Sequence, residues 1–119
     1  MYIHIHIQNN RFKAKVLQKP LEIMQGMMGK RFTKAFDALL FVMNKSSSSF
    51  YMKNCIVPLD VVFIQNGKIT KIHHNCMPCT QELCVSYPGN GNYVIEFPGN
   101  TCKTLHITKG ASVVFSNIK

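Results

Sequence analysis

The sequence predicts a mainly β fold, an antiparallel β-sandwich or partly closed barrel with one or two short helices, built by residues 1–119 as a single domain. Three observations lead there. Six to eight short runs are separated by turn signals every ten residues or so, the spacing of antiparallel strands and not of strands alternating with long helices. Residues 2–8 alternate, with Ile3, Ile5 and Ile7 on one face and Tyr2, His4, His6 and Gln8 on the other, the period of two of a half-buried strand. Asn66-Gly67, between Val61–Gln65 and Lys68–His73, is the dipeptide that most readily supplies the two positive φ angles of a type I′ hairpin turn.

The elements follow in order. Asn9-Asn10 reads as a turn, after which Phe12, Ala14 and Val16 alternate with Lys13 and Lys15, so a second strand pairs with the first. Two histidines on a strand face, His4 and His6, are polar surface in the absence of a nearby Cys or carboxylate to complete a metal site. Pro20 suits the first turn of a helix whose inner face carries Leu21, Met24 and Met28, and which Gly26 and Gly29 keep short. The methionines there read as core filling by an adaptable side chain. Residues 38–43 form an apolar run of strand length, and 45–49 form an exposed serine loop with a hairpin return at Phe50. Pro58 has no N–H to donate and marks a change of direction or a strand start. Residues 74–92 read as one long loop, which in a small domain is either functional or tied down. Residues 93–97 resume as a strand, Asn100 or Thr101 caps a short helix over 102–106, and 112–115 is the closing strand.

Composition limits the function classes. Apolar residues make up 46% of the chain and charged residues 16%, the balance of a folded protein and not of a disordered tail. No run reaches the eighteen or so apolar residues of a membrane span, and the N-terminus alternates where a signal peptide would be continuously apolar. A cytoplasmic protein with no membrane partner and reduced thiols is the expectation. Fourteen Lys and Arg against five Asp and Glu give a net charge of +9, which makes a nucleic acid or other polyanion a possible partner. The basic residues are spread, with Lys30, Arg31 and Lys34 as the one tight cluster, and even spreading is what a solvated surface produces. Glu22, Asp37, Asp60, Glu82 and Glu96 are the only carboxylates, so any acid–base chemistry must draw on them.

The segments QGMMGKRF (25–32), LLFVM (39–43), FYMKNCIVPLDVVFIQNGKI (50–69), CTQELCVSY (79–87) and YVIEFPGN (93–100) together resemble one prokaryotic family, domain of unknown function family 192. The resemblance runs in order from about Gln25 to Phe115. It implies a compact, mainly β domain of the sandwich type and supplies no reaction. Tyr51 and Cys55 stand where that family has Trp and Thr, Ala38 and Ala111 replace a glycine and an acid, and Lys30 replaces an arginine, losing a planar two-pronged donor.

The candidate site is the stretch Phe50 to Ile64, because it sets polar groups inside core-forming runs, where an unpaired one costs about 1–3 kcal/mol. The residues that match the family's motifs and can bind a ligand are Met28, Lys30, Tyr51, Met52, Lys53, Asn54, Asp60, Tyr87 and Glu96. A buried network competes with this, in which Lys53 pairs with Asp60 or Glu96 and Asn54 ties down the chain before Pro58. In the cysteine segment, His74, Cys76, Cys79 and Cys84 have the spacing of an incomplete zinc set. Free thiols and a Cys79–Cys84 disulfide, a pairing the resemblance also implies, compete with zinc, and a tie between Cys79 and Cys84 is the expected anchor of the loop. No cofactor other than that zinc is expected. With no nucleophile–base–orienter set in the chain, a small non-catalytic binding module for a small ligand or a protein partner leads. A hydrolytic enzyme using Asp60 or Glu96 as general base is the alternative.

Overall fold

The computed structural model describes residues 1–118. Nine strands and two short helices follow in the order β1 (Tyr2–Ile7), β2 (Asn10–Leu17), α1 (Pro20–Gln25), β3 (Ala38–Val42), β4 (Ser47–Tyr51), β5 (Leu59–Gln65), β6 (Lys68–Cys76), β7 (Ser86–Asn90), β8 (Tyr93–Pro98), α2 (Thr101–Thr104) and β9 (Val113–Asn117). Seven strands form one curled sheet in the order β6-β5-β8-β3-β2-β1-β9, and β4 and β7 form a separate ribbon. Pairing is antiparallel except between β2 and β3, where the crossover through α1 makes the pair parallel. The two edges of the large sheet approach each other at one end: Lys68 bridges Ser112, and the Val113 and Ile69 amides donate to the Gly67 and Ala111 carbonyls. The result is a half-closed barrel with a two-stranded cover.

The three central strands, β3, β5 and β8, are buried on both faces. Ala38, Leu40, Val62, Ile64, Ile95 and Phe97 enter one core with Ile5, Ile7 and Phe12 from the first hairpin and Cys102 and Ile107 around α2. Leu39, Phe41, Leu59, Val61, Phe63 and Val94 enter a second core with Met27, Met52 and Cys55. Two-sided burial is why these strands read as continuous apolar runs while β1 and β2 alternate. The β4–β7 ribbon closes the second core through Phe50, whose ring packs edge-on against Phe41 and Phe63 with centroids 5.1 and 5.8 Å apart.

The Asn66-Gly67 hairpin has the expected backbone, with φ of 53° and 73°, and β5 begins directly after Pro58. Several local expectations are corrected. α1 ends at Gln25 and buries none of its own residues, so Leu21 and Met24 are exposed and it is Met27, past its end, that is buried. The serines at 47–49 are not a loop: they pair with Asn90, Gly89 and Pro88 as the start of β4, an exposed edge where small polar residues cost little. β3 and β4 therefore do not form a hairpin. The long loop shrinks to 77–85, since β6 continues to Cys76 and β7 begins at Ser86. α2 occupies 101–104 rather than 102–106, and Asn100 precedes it in left-handed backbone without a side-chain cap.

The cover depends on close approach. A Cβ at Gly89 of β7 would run into the Phe63 ring, so Gly89→Ala should lower stability by about 1–3 kcal/mol, as overpacking does. Urea denaturation measures it; an unchanged midpoint would show that the ribbon can lift from Phe63 at no cost.

Candidate functional site

The segment from Met52 to Cys55 is a strap between two others. The Gly29 amide donates to the Asn54 carbonyl at 2.9 Å, the Asn54 amide to the Cys79 carbonyl at 3.0 Å, and the Cys79 amide to the Met52 carbonyl at 3.1 Å. Asn54 turns the strap with φ of 60°, a conformation asparagine tolerates better than most residues. Asn54 is exposed and ties the chain through its backbone, not through the side-chain network expected of it. The Lys53 ammonium likewise pairs with neither Asp60 nor Glu96. It donates to the carbonyls of Gln81 and Glu82, drawing the 79–84 loop over itself.

That loop is closed by a Cys79–Cys84 disulfide, and Cys55, Cys76 and Cys102 are buried thiols. The general expectation of reduced thiols describes those three and not Cys79 and Cys84, the pair for which a tie is expected. Cys76 is buried in the second core and His74 is exposed. Among the described residues no group of three or more His, Cys, Asp or Glu is arranged to hold a metal ion.

Asp60 and Glu96, the two buried carboxyls, lie on opposite faces of the sheet. In the β5–β8 register Asp60 faces Phe97 and Val61 faces Glu96, and neighbouring positions on one strand point to opposite faces. Asp60 is wholly buried and structurally committed: Oδ1 accepts from the amides of Asn75 (2.8 Å) and Asn100 (3.0 Å), and Oδ2 from the amide of Cys102 (2.8 Å). It therefore fixes two left-handed residues, Asn75 and Asn100, and supplies the cap at the start of α2 that Asn100 does not.

Glu96 is the opposite case. It stands mid-sheet between Val61 of β5 and Leu39 of β3, is 4% exposed, and its Oε1 has no hydrogen-bond partner among the described residues. Burial pushes its carboxyl up to about 8, because the charged form is poorly solvated there. Glu96 forms the floor of a pocket of about 190 Å³ with Met27 and Phe41. Ile23, Met24, Gly26 and Met28 make one wall, Met43, Phe50 and Tyr51 the other, and Met24 and Tyr51 are largely exposed at its rim. Gly26 takes φ of 45° where α1 stops, and a Cβ on it would come within 3.7 Å of Glu96 Oε1 and 3.2 Å of the Phe41 ring. Cys55 also lines the pocket, its thiol pushed up to about 11 by burial and by the Glu96 charge.

Of the candidate residues, the structure brings together Met28, Tyr51 and Glu96. Lys30 is exposed outside the pocket, and Met52 lies beneath a second hollow of about 310 Å³ beside the disulfide loop, which Tyr87 also lines. Sequence reasoning missed Ile23, Met24, Phe41 and Met43. The available signal was the cluster of Met24, Met27 and Met28, since methionine also lines adaptable binding surfaces.

The family model described as DUF192, Uncharacterized ACR, matches residues 3–115. A crystal structure of a proposed transcription regulator from Sinorhizobium meliloti 1021 superposes with a TM-score of 0.84 at 24% identity, over 97% of this chain and 94% of that one. A protein of unknown function from Novosphingobium aromaticivorans DSM 12444 gives 0.78 at 21% identity, over 96% and 84%. At these identities the likeness is one of fold. No curated protein matches the sequence.

Two expected outcomes follow from the buried carboxyls. Asp60→Ala should destabilise the domain by about 3 kcal/mol or more, since it leaves three buried amides without their acceptor; thermal and urea unfolding measure it, and a loss of surface-substitution size would refute the capping role. Glu96 gives a pH signature. Its folded pKa of about 8 lies above the ordinary 4.5, so its favourable contribution is full below about 4.5 and is lost as pH rises to about 8. Over that window the wild type should lose stability relative to Glu96→Gln, at up to about 1.4 kcal/mol per pH unit. Parallel urea curves at every pH would show that Glu96 ionises freely in the folded protein.

Proposed function

The chain belongs to the DUF192 family, which is described by no reaction, and from the chemistry of the pocket we propose that it is a small non-catalytic binding module. Its ligand has an apolar body and one hydrogen-bonding group, and enters between the end of α1 and β4 to meet Glu96. The carrying observation is the Glu96 carboxyl, a buried group with an unpartnered oxygen at the floor of a mainly apolar pocket, whose other polar lining is Gln25 and Ser49. Leaving such a group unsatisfied costs about 1–3 kcal/mol, a cost a ligand would remove. The pocket is of fragment size, since an apolar cavity of roughly 150 Å³ holds one benzene.

The lining favours binding over chemistry. Asp60, the other buried carboxyl, lies across the sheet with its oxygens engaged by three amides, so it is not free to act as a general base and the two carboxyls of a glycosidase are not gathered. The Cys55 thiol, pushed up to about 11, is held away from the reactive thiolate. The Ser49 hydroxyl is hydrogen-bonded to Ser86.

The methionines supply the test. Met24, Met27, Met28 and Met43 line the pocket, and Met1, Met52 and Met77 do not. In a fragment screen read on ¹³C-methyl-methionine spectra, ligands should shift the first four signals and leave the other three as internal references. A screen in which no fragment moves the four pocket methyls would overturn the proposal.

A further inference from the structure

Resting on that pocket reading, we infer that the ligand is a small amine, its ammonium held on the Glu96 carboxylate and its apolar body against the aromatic and thioether walls. The first ground is charge. The chain has fourteen Lys and Arg against five Asp and Glu, yet among the described residues no Lys, Arg or His lines this pocket and Glu96 is the one carboxyl that does. An anion would find no cationic partner there and would meet the carboxyl directly. The second ground is the wall. Phe41, Phe50 and Tyr51 present rings, whose faces attract cations, and Met24, Met27, Met28 and Met43 present polarizable sulfurs. The third is space: the chain passes Glu96 at Gly26, where the missing side chain leaves room over Oε1.

Binding is then coupled to a proton. The empty pocket holds Glu96 as the neutral acid near neutral pH, because burial pushes it up to about 8. An arriving ammonium keeps its own protons, and the carboxyl releases one to solvent, so the bound pair is neutral and one proton leaves per ligand. The thiols that feel the Glu96 charge, Cys55 and Cys76, stand at about 11 and remain neutral throughout, and Tyr51 stands at the rim. Glu96 is thus the group that sets the pH dependence. Affinity should rise roughly tenfold per pH unit up to about 8 and level off above it, while an alkylamine, titrating near a lysine side chain at about 10.4, stays charged over that range.

Phenethylamine and its neutral isostere 2-phenylethanol separate the possibilities, measured by calorimetry and by methionine-methyl shifts at several pH values. Phenethylamine should bind with that pH profile and release close to one proton. The alcohol should bind more weakly at about pH 8 and without the profile. Glu96→Gln, which keeps the shape and can still hydrogen-bond, should reduce phenethylamine to the level of the alcohol while leaving the protein folded. If the alcohol binds as well as the amine at about pH 8 and moves the pocket methyls, the cation inference falls and the pocket reading stands. If phenethylamine binds equally to wild type and Glu96→Gln, the inference falls as well. If neither probe moves the four pocket methyls in either protein, both readings fail.

Discussion

The constraint on which the rest of the structure depends is the burial of β3, β5 and β8 on both faces. A strand with one wet face can place polar side chains outward; these three cannot, because the first hairpin and α2 cover one side and the β4–β7 ribbon the other. Every polar side chain on them must find a partner or face a void. Asp60 and Glu96 meet this requirement in opposite ways. Asp60 collects three amides and becomes a structural rivet between β5, the end of β6 and α2. Glu96 is flanked by Val61 and Leu39, whose side chains offer no donor, and it faces the pocket.

The strap at 52–55 decides where that pocket opens. Through backbone hydrogen bonds to Gly29 and Cys79 it holds the turn after α1 on one side and the disulfide loop on the other. Met27 and Met28 are thereby set beside Glu96, and the loop is set away from it. The same strap leaves the Lys53 stem over the loop, with its charge spent on the Gln81 and Glu82 carbonyls. A lysine that had turned instead toward Glu96 would have neutralised the carboxyl and filled the space above it.

Much of the fold was legible because it rests on local rules. Period-two alternation gave β1 and β2, Asn66-Gly67 gave the β5–β6 hairpin, and Pro58 marked the start of β5. What was not legible came from pairing at a distance. Ser47–Ser49 look like a flexible loop until β7 supplies partners about forty residues later, and Ser86–Asn90, with its proline and glycine, looks like a turn for the same reason. The site divides similarly. Phe50–Ile64 stood out by its mixture of polar and apolar residues, and Phe50, Tyr51 and Cys55 of it line the pocket, but whether Lys53, Asp60 and Glu96 form one network depends on register. A one-residue offset across the β5–β8 pair puts Asp60 and Glu96 on opposite faces.

Net charge, the strongest global feature of the sequence, is for the same reason a poor guide to the pocket. A value of +9 describes a surface, where lysines and arginines are cheap to keep. The pocket reports the few side chains that the fold gathers around it, and there the balance differs: one carboxyl, three rings and four thioethers beside Gln25 and Ser49, with no Lys, Arg or His among the described residues. The excess positive surface acts on that pocket only at long range, where salt screens it within roughly 10 Å, while the Glu96 carboxyl acts at contact distance in a poorly solvated site. The local term therefore prevails, and a basic protein can present a pocket suited to a cation.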